Sequence, residues 1–362
     1  MIQLSKPLIG EDEINAVAKV MKSGNIAEGQ KVKDFEDSFA KYIGTDYAVA
    51  VNSGTAALHI SLLAHNIGNN DEVITTPFSF IATSNSILHT KATPVFADID
   101  YKTFNINPEN IIEKITSKTK AIIPVHLYGQ SADMKLIMEI AEDHNLIVIE
   151  DACQSHGAEF NNKKVGSFET GTFSFYPTKN MTTGEGGMIT TNNKNIAKCA
   201  KMIRSHGSSK RYFHEILGYN MRMTDISAAI GLVQLQKLDD FNKKRVKNAK
   251  YMSNKLCNID GLTVPYVDER CKHVFHQYTL KINNNIIPRK KIENVLSEKE
   301  IVTGIYYPTS IHKQPLYLKL GYNNSFPISE KLSTEVLSLP VHPGLNSSEL
   351  DIIIETIKEM YE

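Results

Sequence analysis

Cysteine, net charge and long apolar runs are all in short supply here, and each shortage excludes something. The four cysteines, Cys153, Cys199, Cys257 and Cys271, lie far apart with no CxxC pair, which argues against a zinc site or a disulfide framework. Forty Lys plus Arg balance forty Asp plus Glu, so no global positive field exists to hold nucleic acid or an anionic membrane. The opening MIQLSKPLIGEDE has no apolar core of signal-peptide type, and no apolar run approaches the roughly 18 residues that a membrane helix needs. The expectation is a cytoplasmic protein with no metal, nucleic-acid or membrane partner. What is present is an ordinary folding composition, 41% hydrophobic and 22% charged over 362 residues, enough for two or three domains at about 150 residues each.

The first 240 residues repeat a short apolar run, a turn and a longer amphipathic stretch. Apolar runs at 47–51, 72–75, 94–97, 121–125 and 146–149 alternate with helix-like segments at 55–64, 79–88, 108–115 and 133–144. Runs that are continuously apolar, rather than alternating, fit strands buried on both faces of a mainly parallel α/β sheet. Residues 225–248 read as one long helix. After it, strand candidates at 276–282 and 304–307 interleave with helices at 289–298 and 348–360, among Pro, Asn and Ser joins. This predicts a large α/β domain over 1–240 and a smaller α+β domain over 241–362.

In an open parallel sheet, ligands collect at the carboxyl ends of the strands. The first apolar run is followed by Ser53-Gly54-Thr55-Ala56-Ala57-Leu58, a small-residue turn opening a helix. Its free N–H groups suit a phosphate, or equally an ordinary capped helix start. The fifth run ends in Glu150-Asp151-Ala152-Cys153-Gln154. Alternation puts the two carboxylates on opposite sides, so one of them faces a crevice, where it could hold a protonated ring nitrogen, bind a metal or cap the next element. Lys179 lies among aromatic, Pro and small residues, shortly before Gly184-Glu185-Gly186-Gly187. A lysine in a partly apolar site has a lowered pKa and can form a Schiff base, although most lysines are simply solvated. Phosphate cradle, carboxylate and lysine together are the parts list for pyridoxal phosphate.

With these blocks in view, the chain resembles the DegT/DnrJ/EryC1/StrS sugar aminotransferases, which have the aspartate aminotransferase fold (fold type I). The resemblance runs from Gly29-x5-Phe35-Glu36 through the Ser53–Leu58 block, Thr76-Pro77-Phe78-Ser79-Phe80, Glu150-Asp151-Ala152-x-Gln154 and Ser174-Phe175-x3-Lys179. It continues through the glycine cluster, Arg204-x-His206-Gly207, Gly218-Tyr219-Asn220-Met221-Arg222-Met223 and Tyr306-Tyr307-Pro308. It implies pyridoxal 5'-phosphate as cofactor, with pyridoxamine 5'-phosphate as its amino form. Lys179 is then the Schiff-base lysine and proton shuttle, Asp151 the partner of the pyridine nitrogen and Gln154 that of the phenolic oxygen. Phe80 stacks on the ring, and Gly54, Thr55 and Ser174 bind the phosphate. Asn220 matches an asparagine that completes the neighbouring subunit's phosphate site, which implies a homodimer with shared active sites.

Tyr306, Tyr307, His312 and Arg222 are the candidates for substrate contact, with His206 beside them. The family commonly shows HYP where this chain has Tyr306-Tyr307-Pro308. The reaction implied is transfer of an amino group from L-glutamate to a keto group on a nucleotide-diphosphate-linked deoxysugar, for glycan or surface polysaccharide biosynthesis. Lys210 and Arg211, between Ser209 and Tyr212, could meet the diphosphate. Thr182-Thr183-Gly184-Glu185-Gly186-Gly187 looks more like the 4-amino branch, such as perosamine synthase, than like a 3-amino branch ending in GDGG. A 4-keto-6-deoxyhexose follows, with amination at C3 as the alternative. A sugar dehydratase on the same fold typically carries histidine where this chain has Lys179, and a nicotinamide oxidoreductase would need a GxGxxG after the first strand.

Overall fold

A computed structural model describes residues 1–361; the last residue of the expected second domain, Glu362, lies outside the described residues. Seven strands form the central sheet: β1 (Tyr47–Val51), β2 (Glu72–Thr75), β3 (Thr93–Phe96), β4 (Thr119–Ile123), β5 (Ile147–Asp151), β6 (Thr170–Ser174) and β7 (Gly187–Thr191). Their order is β1-β7-β6-β5-β4-β2-β3, and β7 alone runs antiparallel to its neighbours β1 and β6. The sheet is therefore mostly parallel, as its continuous apolar strands require. β1 to β5 fall within two residues of the apolar runs.

β6 (TGTFS) and β7 (GMITT) are not apolar runs, yet all of β7 and the first four residues of β6 are buried. Their threonines bury because each hydroxyl finds a partner: Thr172 Oγ1 donates to the Glu150 carbonyl at 2.8 Å and Thr190 Oγ1 to the Gly166 carbonyl at 2.6 Å. A satisfied hydroxyl removes most of the cost of burying a polar group.

Helices cover both faces of the sheet. α1 (Glu11–Ser23) and α2 (Gln30–Ile43) precede β1, and neither shows in the apolar runs. α3 (Gly54–Ala64) follows β1, α4 (Ala82–His89) follows β2, α5 (Met134–His144) precedes β5, and α6 (Lys194–Arg204) follows β7. Buried Arg204 at the end of α6 pairs with Glu36 of α2 and with Glu28, which accounts structurally for the Phe35-Glu36 and Arg204-x-His206 blocks. α4 starts later than the expected 79, because Ser79 and Phe80 form the turn before it.

α7 (Asp225–Leu256) begins at a Thr224 cap, whose hydroxyl accepts from the Ser227 N–H at 3.1 Å, and runs past the expected residue 248. At 1.5 Å per residue its 32 residues span about 48 Å. Its first half packs Ala228 and Leu238 into the core beneath the central sheet. Its second half packs Ala249, Met252 and Leu256 against a separate antiparallel sheet, β8 (Leu262–Thr263), β9 (Tyr278–Ile282) and β10 (Val336–Leu339). α8 (Arg289–Glu298) and α9 (Ser347–Tyr361) complete that second core with Ile292, Leu296, Ile353 and Ile357. Residues 304–307 are not a strand; Gly304 makes one bridge to Ser338 of β10, the strand that the apolar pattern did not mark. No helix among the described residues is long and apolar enough to cross a membrane.

Candidate active site

A cavity of about 640 Å³ opens at the carboxyl ends of β1, β5 and β6, a size suited to a bound small molecule. Three of its walls come from the three sequence blocks that follow those strands.

At the first wall, Ser53 caps α3 by accepting from the Ala56 N–H at 3.1 Å, leaving the N–H groups of Gly54 and Thr55 at the open helix end. A Cβ on Gly54 would stand 2.7 Å from Ser174 Cβ and 3.0 Å from Cys153 Sγ. One on Gly187 would stand 2.3 Å from the Ser53 carbonyl oxygen. The absence of side chains at these two positions therefore lets the helix end, β6 and the glycine cluster close on one another. The hydroxyls of Ser53, Thr55 and Ser174 line the same corner. Hydroxyl and N–H donors in one small recess form a donor set that fits a phosphate.

β5 supplies the second wall. Its alternation sends Glu150 to the buried side and Asp151 to the cavity. Glu150 accepts from the N–H groups of Gly166 at 2.7 Å and Phe168 at 2.8 Å. His126 Nδ1 accepts from the Ala132 N–H at 3.0 Å, so its Nε2 carries the hydrogen and donates to Glu150 at 3.1 Å. Glu150 is thus a satisfied structural carboxylate. Asp151 Oδ2 accepts from the Thr83 hydroxyl at 2.7 Å and Oδ1 from the Cys153 N–H at 3.2 Å, with lone pairs left toward the cavity.

Lys179 is on the third wall, its N–H bonded to the Tyr176 carbonyl at 2.9 Å. It is half-buried and lines the cavity. Burial lowers its pKa below the usual 10.5, against the pull of the neighbouring Asp151 carboxylate. The Cys153 thiol, raised by burial and by Asp151, stays protonated and contributes no countercharge. A carboxylate, a buried amine with lowered proton affinity and an anion cradle, all in one cavity, fit pyridoxal phosphate by donor chemistry and by the space that Gly54 leaves.

Gln154 is oriented at both ends: Oε1 accepts from the Tyr128 N–H at 3.1 Å and Nε2 donates to the Tyr307 hydroxyl at 3.3 Å. Phe80 leaves 57% of its surface exposed at the mouth, with its ring centroid 6.3 Å from that of Tyr307. Tyr306 and Tyr307 both line the cavity, and burial raises the pKa of each.

The other substrate candidates are not brought to it. His312 departs from expectation because its Nε2 bonds Glu330 Oε1 at 3.0 Å, while its ring packs on Phe96 and Phe326. Arg222 faces Glu28, Nε to Oε2 3.7 Å. His206 is exposed at φ 59°. Lys210 and Arg211 sit on an exposed hairpin, with Arg211 over the Tyr212 ring. Asn220 is exposed and bridges Ser205, outside the cavity of its own chain.

Among the lining residues that the sequence reading did not single out are Ala82, Thr83, His276, Gln277 and Ile305. His276 and Gln277 arrive from the turn before β9, where Arg245 Nη1 holds the carbonyls of Phe275 and His276 at 3.1 and 3.3 Å. Burial first, then Lys179 and Arg245, push the His276 pKa well below 6.5, so the imidazole is neutral. Nothing in the local pattern around 276 marks this position, because the contact depends on packing across almost a hundred residues of chain from Lys179.

Comparison with known proteins agrees with this geometry. The model of the DegT/DnrJ/EryC1/StrS aminotransferase family matches residues 7–358. The chain is 41% identical over 344 residues to the dTDP-3-amino-3,6-dideoxy-alpha-D-galactopyranose transaminase of Aneurinibacillus thermoaerophilus, covering 94% of this chain and 93% of that one. It is 37% identical over 368 residues to the GDP-perosamine synthase of Caulobacter vibrioides, covering 99% and 98%. Among solved structures, the PLP-form of the putative sugar aminotransferase Spr1654 from Streptococcus pneumoniae superposes with a TM-score of 0.94 at 28% identity, covering 99% and 98%. The family match spans almost the whole chain and the fold agrees with it: the protein belongs to the DegT/DnrJ/EryC1/StrS aminotransferase family.

Proposed function

We propose that this protein transfers the amino group of L-glutamate to the C4 keto group of a nucleotide-linked 4-keto-6-deoxy sugar. The family is one of pyridoxal phosphate-dependent sugar aminotransferases. The observation that carries the reading is Lys179 in the same cavity as Asp151 and the Gly54 cradle. In it, Gly54, Thr55 and Ser174 would hold the cofactor's phosphate, Asp151 its ring nitrogen, Gln154 its phenolic oxygen and Phe80 its ring face. Bound pyridoxal phosphate supplies an electron sink and an aldehyde that carries the amino group from donor to acceptor. Lys179 Nζ, its proton affinity lowered by burial, would serve as the base that moves the proton at the amino-bearing carbon. Tyr306 and Tyr307 wall the side where a sugar would enter, and their hydroxyls suit its polar edge.

Asn220, exposed and outside its own cavity, is read as the residue that completes the site of a second copy in a homodimer. The chain is read as a large domain over 1–240 and a smaller one over 241–362, with α7 running through the division. The C4 assignment rests on Thr182-Thr183-Gly184-Glu185-Gly186-Gly187, and amination at C3 is the second reading because relatives of similar identity carry either name.

The test is an absorbance spectrum of the protein with pyridoxal phosphate, before and after L-glutamate. A band at about 410–430 nm that moves to about 330 nm is the expected result. Adding a nucleotide-linked 4-keto-6-deoxyhexose should then restore the first band. Restoration only by a 3-keto sugar would replace C4 with C3, and no change on adding glutamate would overturn the donor assignment.

A further inference from the structure

Asp151 does not stand alone in the wall of the cavity. Its Oδ2 lies 2.7 Å from Thr83 Oγ1, and Thr83 Oγ1 lies 2.9 Å from Ser79 Oγ. Both hydroxyl residues are buried, 1% and 4% exposed, and both line the cavity. Counting hydrogens gives the direction. An ionised carboxylate only accepts, so the single hydroxyl hydrogen of Thr83 goes to Asp151. The bond between the two hydroxyls must then be donated by Ser79. The Thr83 N–H is committed as well, to the Phe80 carbonyl at 3.1 Å. The first turn of α4 therefore ties Thr83, itself held to the Phe80 carbonyl, to the neighbouring carboxylate.

Resting on the reading of Asp151 given above, we propose that Thr83 is a positioning residue for that carboxylate, and Ser79 for Thr83. The two form a directed hydroxyl relay, Ser79 to Thr83 to Asp151, that fixes which face of Asp151 meets the cofactor's ring nitrogen. A hydroxyl donating at 2.7 Å to a carboxylate oxygen makes a charge-assisted bond, shorter and stronger than a neutral one. In a buried setting a second donor behind it strengthens it further. The Cys153 N–H on Oδ1, at 3.2 Å, is the longer contact and defines the orientation less tightly. The requirement at 83 is specific: a hydroxyl on a β-carbon at the second residue of α4. Serine meets it and valine, of the same shape, does not.

The experiment compares Thr83→Val, Thr83→Ser, Ser79→Ala and Asp151→Asn as holoprotein reconstituted with pyridoxal phosphate. It measures cofactor affinity by equilibrium dialysis, the pH profile of the long-wavelength absorbance band, and single-turnover kinetics with L-glutamate. Thr83→Val should lower the limiting rate by roughly ten- to a hundredfold, the loss expected for one hydrogen bond to a charged group, with the glutamate KM little changed. It should also displace the pH profile of the band. Thr83→Ser should restore both, and Ser79→Ala should lose roughly three- to tenfold in rate. A parental rate and profile in Thr83→Val, or a Thr83→Ser variant as impaired as Thr83→Val, overturns the proposal. Should Thr83→Val not fold, a parental rate in Ser79→Ala overturns the relay by itself. Asp151→Asn separates the two layers. If it is inactive while Thr83→Val is parental, Asp151 keeps its role and the relay fails; if Asp151→Asn is itself parental, the underlying reading of Asp151 fails.

Discussion

Gly54→Ala probes the cradle with one carbon atom. The new Cβ would lie 2.7 Å from Ser174 Cβ, about 1 Å inside optimal carbon contact, and 3.0 Å from Cys153 Sγ. The Ser174 Cβ cannot swing aside as the end of a flexible side chain would, since the backbone fixes it at the end of β6. The first turn of α3 must move outward instead. Overpacking of this kind costs about 1–3 kcal/mol of stability. The larger effect is on the anion: displacing the N–H groups of Gly54 and Thr55 forfeits one or two charge-assisted hydrogen bonds, each about 1.5–3 kcal/mol. Affinity of the apoprotein for pyridoxal phosphate should fall at least tenfold to a hundredfold, measured by absorbance titration, while Lys179 remains intact. Ser174→Gly in the same chain removes the colliding Cβ, so the double variant should bind more tightly than the two single losses combined would give. If Gly54→Ala binds the cofactor as the parent does, the cradle is not where the phosphate sits.

Other perturbations reach different parts of the molecule. Lys179→Ala should fold and retain less than a thousandth of the parental turnover, roughly the loss on removing a covalent catalyst, and Asn220→Ala should weaken cofactor binding. Mixed dimers of the two variants should recover activity at one site in each pair, and their failure to do so would remove Asn220 from the shared site. His156 and His273 are fully buried and held neutral, each with its pKa lowered by burial to about 3. Because the unfolded histidines titrate near 6.5, the unfolded state binds more protons below that pH. The stability held above pH 6.5 is therefore lost as pH falls toward 3, about 2 kcal/mol per histidine between pH 7 and pH 5. Urea melts of the apoprotein across that range should show the slope, and His156→Phe should remove its share; a flat profile would mean that these rings are not held neutral.

The sequence by itself determined the order of the strand ends and what stands on them. A run of four apolar residues followed by Glu150-Asp151 has one outcome in a strand buried on both faces: adjacent carboxylates on opposite sides. Gly54 after β1 was legible for the same reason, and Lys179 was legible from the aromatic, Pro and small residues around it, since residue type and immediate neighbours are local properties. Only the tertiary structure decided which side chains converge from far along the chain. His276, Gln277 and Tyr128 reach the site through contacts whose sequence separation leaves no periodic trace. Thr83 and the threonines of β6 and β7 carry no apolar signal, and they bury because the fold brings each hydroxyl a partner. His312 and Arg222 show the converse: each had the chemistry to meet a substrate, but Glu330 and Glu28 stand closer in the folded chain, and an ion or hydrogen-bond partner at hand turns a side chain away from the cavity.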